Sequence, residues 1–82
     1  MQIDLLKERI QATLTDAKIV IEGDGTHFTT LVISPLFQGQ SRIRRQQMVY
    51  SAVREELIDG SLHALSIKAL TPEEYENEQA NH

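Results

Sequence analysis

Cysteine is absent from this sequence, which removes disulfides and thiolate metal ligands from anything the chain could supply by itself. Any metal must be held by His, Asp or Glu, or through ligands that a partner brings. Long apolar runs are missing too. No stretch approaches the roughly 18 residues of a membrane span, and no basic segment followed by an apolar one opens the chain, so a soluble, cytoplasmic protein without membrane contact is expected. Basic residues are the minority: 8 Lys and Arg against 12 Asp and Glu give a net charge of −4. That balance argues against whole-surface attraction to nucleic acid and leaves only a local patch to consider. Tryptophan is absent and aromatics are scarce, and none lies within the arginine cluster at residues 42–45, so base stacking is not indicated. At 82 residues the chain makes one domain with a small core.

What is present is strongly periodic. Ile3, Leu6, Ile10 and Leu14 recur at helical spacing and predict a first helix over about Gln2 to Leu14, with Asp4 in its first turn. Lys18 to Glu22 is short and β-branched, a strand, and Gly23-Asp24-Gly25-Thr26 reads as a hairpin turn. His27 to Ser34 returns as a second strand ended by Pro35, and Pro35 to Gln40 reads as a loop. Ser41 is a plausible N-cap for a helical stretch from Arg42 to Ile58, one helix or two, with Ile43, Val49, Tyr50, Val53 and Leu57 as its apolar stripe; Gly60 closes it. Leu62 to Leu70 alternates with a period of two, so His63, Leu65, Ile67 and Ala69 are expected on the core side of a third strand. Thr71-Pro72-Glu73-Glu74 carries the signals of a helix start. Residues 1–76 then form the domain, and 77–82 are expected to be a disordered tail.

Topology brings two histidines together. Strands joined by a tight turn are antiparallel, and strands joined through a helical crossover are parallel. If the third strand lies beside the second, His27 and His63 start their strands at the same end of the sheet. They share a face only if Thr29, Leu31 and Ile33, rather than Phe28 and Val32, turn toward the helices. Two imidazoles are a reasonable metal pair but too few for a closed site, so the pair would bind metal only with ligands from a partner. Two unrelated histidines at a core edge or surface remain the other reading. Arg42, Arg44, Arg45 and Arg54 make the second helical stretch locally basic. Such a stretch can be a solvated, ion-paired face, or can hold an acidic partner or phosphate. Nothing resembles a nucleophile paired with a base, and Gly23-Asp24-Gly25 is too short for a phosphate loop.

Several segments in order resemble the BolA-like proteins, and within them the IbaG (YrbA) branch. They are Gly23-Asp24-Gly25-Thr26-His27-Phe28, Val32 to Gly39, Ser41 to Gln47, Val49-Tyr50, His63 to Lys68 and Thr71-Pro72-Glu73-Glu74. The resemblance spans roughly residues 3–75. Arg45-Gln46 stands where many family members have Arg-His, and Tyr75 where they have Trp. The resemblance implies an α+β, class II KH-like fold of order α-β-β-α(-α)-β-α, with helices packed on one face of a three-stranded mixed sheet. It also implies a non-enzymatic adaptor for iron–sulfur cluster trafficking or for iron or acid-stress regulation. Such an adaptor pairs with a monothiol glutaredoxin around a 2Fe-2S cluster that glutathione helps to hold. The isolated chain would bind no cofactor, and His63 and His27 would be the ligands it contributes. Arg42, Arg44 and Arg45 would meet the partner, or, in the competing reading of a transcriptional regulator with a KH-like fold, DNA. A weak homodimer is a further expectation. The Gly-x-x-Gly loop with which KH domains clamp a nucleic-acid backbone is absent.

Overall fold

The sheet has the strand order β1-β2-β3 (Lys18–Gly23, His27–Ile33, Ala64–Leu70), with β1 antiparallel to β2 and β3 parallel to it. The computed structural model describes residues 2–24 and 27–80; Gly25 and Thr26 of the expected hairpin turn, and the chain end 81–82, lie outside the described residues. Four α-helices accompany the sheet: α1 (Ile3–Thr13), α2 (Arg42–Ala52), α3 (Arg54–Asp59) and α4 (Pro72–Ala80). The expected α+β fold and element order are those observed.

Register decides which residues meet. Ile19, Val32 and Ala69 lie in one row across the sheet, Ile21, Thr30 and Ile67 in the next, and Gly23, Phe28 and Leu65 in the third. These rows face the core with Leu6, Ile10 and Leu14 of the first helical segment, Val49 and Val53. Thr29 and Leu31 therefore point away from it. Phe28 wins the inner face because the glycine beside it leaves room: a Cβ on Gly23 would stand 2.5 Å from Phe28 Cδ1. Thr30 is tolerated inside because its Oγ1 donates to the Val20 carbonyl at 3.2 Å.

Several sequence expectations shift. The apparent loop after β2 contains a 3-10 turn (Pro35–Phe37), capped by Ser34 Oγ accepting from the Leu36 N–H, and it buries Phe37 completely. Between Arg42 and Asp59 the helix breaks at Val53, whose φ of −119° and ψ of 20° leave helical geometry. Ile43, expected in the apolar stripe, is 71% exposed. The expected tail is helical as far as Ala80, because Thr71 and Glu74 close a capping box and Lys68 pairs with Glu78.

The start of β3 departs most from simple alternation. Leu62 is 1% exposed and part of the core, whereas His63 is exposed. The connection from α3 enforces this. Gly60 takes the left-handed conformation at φ 84°, Asp59 Oδ1 accepts from the Ser61 N–H at 2.8 Å, and the Leu62 N–H donates to the Glu56 carbonyl at 3.0 Å. Leu62 is thereby folded under α3 before the strand begins, and His63 is turned outward.

Candidate functional site

His27 opens β2 and lies opposite Ala64 in the β2–β3 register, so His63 directly precedes its cross-strand partner. The sheet thus brings the two predicted residues to one end, and both are exposed. Phe28, Thr30 and Val32 face the helices, so His27 projects away from them, while His63, one residue before β3, is turned out of the core in place of Leu62.

The two positions are held differently. The His27 N–H donates to Asp24 Oδ1 at 2.9 Å, the Asp24 N–H to the His27 carbonyl at 3.3 Å, and Asp24 Oδ2 lies 3.9 Å from His27 Nδ1. Asp24 therefore fixes the backbone and supplies negative charge beside the ring. Sequence reasoning passed over Asp24, although an Asx residue three positions before a strand-opening histidine was a readable signal. On the other side, the α3–β3 connection is anchored by Asp59, whose carboxyl is held below its ordinary value, chiefly by the Ser61 N–H. Buried Glu56 joins α3 to α1 through Arg9, Nε to Oε1 at 3.0 Å. No group of three or more His, Asp or Glu among the described residues is placed to hold a metal ion. A metal group at this end would need donors from elsewhere.

The three arginines separate. Arg42 and Arg44 are exposed on the first turn of α2, where Ser41 Oγ accepts from the Arg44 N–H at 3.1 Å. Arg45 turns inward, and its side chain is only 13% exposed. It donates from Nε to the Gln40 carbonyl at 3.0 Å, from one terminal nitrogen to the Ala69 carbonyl at 3.2 Å, and to both Glu74 oxygens at 2.6 and 3.3 Å. Its guanidinium carbon also lies 5.9 Å from the centre of the Phe37 ring. Glu74 is correspondingly held below its ordinary carboxyl value by Arg45 first, then by the Thr71 backbone N–H. Arg45 ties α2, β3 and α4 together, and Arg42 and Arg44 alone remain on the surface. Arg42 and Arg45, but not Arg44, line a groove of about 520 Å³ along the β3 edge, together with Gln40, Gln46, Lys68 and Glu78 among others.

The family model described as BolA-like protein matches residues 4–74. The chain belongs to the BolA-like family. It is 41% identical over 70 residues to the acid stress protein IbaG of Escherichia coli, covering 80% of this chain and 83% of that protein. Among solved structures, a BolA protein homologue from Coxiella burnetii superposes with a TM-score of 0.80 at 36% identity, covering 93% of this chain and 97% of the other. The BolA domain of SufE1 from Arabidopsis thaliana gives 0.77 at 32% identity, covering 87% and 92%. The recognition made on the quoted motifs is thus correct, down to the similarity to IbaG. In this BolA-like chain no described helix is long and apolar enough to cross a membrane.

Proposed function

We propose that this BolA-like chain is a non-enzymatic adaptor of the cytoplasm that joins a monothiol glutaredoxin and shares a 2Fe-2S cluster with it. In this reading His63 and His27 are the ligands offered to one iron. The observation that carries it is the pair of exposed imidazoles at adjoining strand starts, where no group of three or more His, Asp or Glu among the described residues is placed to hold a metal by itself. That donor set fits a shared group and would leave a resident metal incompletely held. Bound there, a cluster with imidazole in place of thiolate carries less negative charge and has a higher reduction potential, as in Rieske centres. The chain's own residues supply position: Asp24 fixes the start of β2, and the Gly60–Leu62 connection turns His63 out. The role of a relative named for acid stress supports a regulatory or stress setting for this one.

The reading is tested by co-expression with a monothiol glutaredoxin and glutathione. The purified complex should carry a visible 2Fe-2S spectrum, and His63→Ala should abolish or strongly alter that spectrum while the chain stays folded. An unchanged spectrum in His63→Ala removes the ligand assignment. Retention of DNA, lost on raising salt and lost again in Arg42→Glu with Arg44→Glu, would instead favour the nucleic-acid reading. The internal engagement of Arg45 leaves that reading two arginines rather than three.

A further inference from the structure

The sheet has two free edges, and they are treated in opposite ways. In β3 the even residues bond to β2, as the Ser34 N–H to Leu70 carbonyl bond at 2.9 Å shows, so the carbonyls of Leu65, Ile67 and Ala69 point out of the sheet. All three are capped by α2: Tyr50 Oη donates to Leu65 at 2.9 Å, Gln46 Nε2 to Ile67 at 2.9 Å, and Arg45 to Ala69 at 3.2 Å. An edge closed in this way cannot accept another strand.

The β1 edge has no such cover. The Asp24 N–H bonds to the His27 carbonyl in the same register that sets Val20 opposite Leu31. Lys18, Val20 and Glu22 therefore direct their backbone groups to β2, and Ile19 and Ile21 direct theirs outward. Among the described residues no group hydrogen-bonds to the outward N–H or C=O of Ile19 or Ile21, and neither Lys18 nor Glu22 is in an ion pair. Val20, on the outer face, is 54% exposed.

The sequence of this edge, Lys18-Ile19-Val20-Ile21-Glu22, is complementary to itself when run antiparallel. Centred on Val20, Lys18 faces Glu22 of a second copy, Ile19 faces Ile21, and Val20 faces Val20. The outward residues Ile19 and Ile21 then form the hydrogen-bonded pairs. The charged residues and valines fall at the non-hydrogen-bonded pairs, where side chains approach most closely. Parity of the open hydrogen bonds, apolar matching and charge matching all select the same register.

We propose that the outer edge of β1 is a homodimer interface on which a second copy of this chain pairs antiparallel about a two-fold axis at Val20, joining two sheets into one of six strands. Such a contact is isologous and self-limiting, since each copy uses the one sheet edge left open among the described residues. Five residues from each copy bury less than the roughly 1,200 Å² of a standard interface, so the dimer is weak and concentration-dependent. The proposal is independent of the histidine pair and of the glutaredoxin reading.

Charge exchange tests it on the full chain by sedimentation velocity over a concentration series, with far-UV circular dichroism as the fold control. Lys18→Glu alone sets two Glu–Glu pairs across the axis, and Glu22→Lys alone sets two Lys–Lys pairs. Each should weaken self-association about tenfold or more. The double variant, and an equimolar mixture of the two single variants, should recover association to within about threefold of the native chain, since both restore opposite charges at every position. Val20→Lys should also weaken it, and amide exchange at Ile19 and Ile21 should slow with rising concentration only in the associating forms. A native chain still monomeric at about 1 mM, single variants that associate like the native chain, or a mixture that fails to recover would each overturn the proposal.

Discussion

Leu62 and His63 are neighbours in the chain with opposite fates, and exchanging each for alanine measures the turn that presents the histidine. Leu62 is 1% exposed within the main core cluster. Truncating a buried leucine to alanine costs 2–5 kcal/mol, and a site enclosed by α3 and the sheet puts the expected value at about 3 kcal/mol. For a domain of 82 residues each kcal/mol lowers the melting temperature by roughly 4–8 °C, so Leu62→Ala should melt roughly 12–24 °C lower. His63 is exposed, and no described hydrogen bond or ion pair uses its side chain. His63→Ala should stay within about 0.5 kcal/mol of the native chain, a shift below about 4 °C. Thermal melts by circular dichroism or calorimetry decide the matter. Strict alternation through β3 demands the reverse order, with His63→Ala the damaging change. That result would refute the outward turn of His63 and undermine its use as a ligand that can be removed without unfolding the chain.

Gly23→Ala should destabilise by about 1–3 kcal/mol, the usual cost of overpacking. Its Cβ would meet both the His27 carbonyl and Phe28 Cδ1 at 2.5 Å; a denaturant titration measures the loss, and chemical shifts at His27 should report displacement of the strand start. Arg45→Ala should lower the melting temperature clearly, with loss of the Gln40, Ala69 and Glu74 contacts, whereas Arg42→Ala at an exposed position should leave it nearly unchanged. Glu74 gives a pH dependence of known sign. Its carboxyl titrates below 4.5 in the folded chain, so the unfolded chain takes up the proton first, and the stabilisation is complete above that value and lost as pH falls through the folded one. Glu74→Gln should accordingly flatten part of the fall in melting temperature between about pH 5 and pH 3, and an equally steep fall in the variant would remove the assignment.

The element order was legible because periodicity and caps are local: helical spacing at Ile3, Leu6 and Ile10, alternation at Leu65, Ile67 and Ala69, and the Thr71–Glu74 capping box needed no knowledge of partners. The family could be recognised for the same reason, since its motifs lie in contiguous segments. The meeting of His27 and His63 at one end of the sheet also followed from the chain, because a hairpin and a helical crossover leave little topological freedom. Which way those histidines face did not follow. In β2, Phe28 and Val32 compete for the core with Leu31 and Ile33, and the choice was made by the missing side chain of Gly23 on the neighbouring strand. Leu62 and His63 were likewise assigned by the hydrogen bond that the Leu62 N–H donates to the Glu56 carbonyl, six residues earlier, which bends the chain before the strand begins. The inward path of Arg45 depends on Ala69 and Glu74, which are 24 and 29 residues away. Local spacing encodes what a segment becomes; where its side chains point is settled by groups from other segments that compete for the same buried space and the same hydrogen bonds.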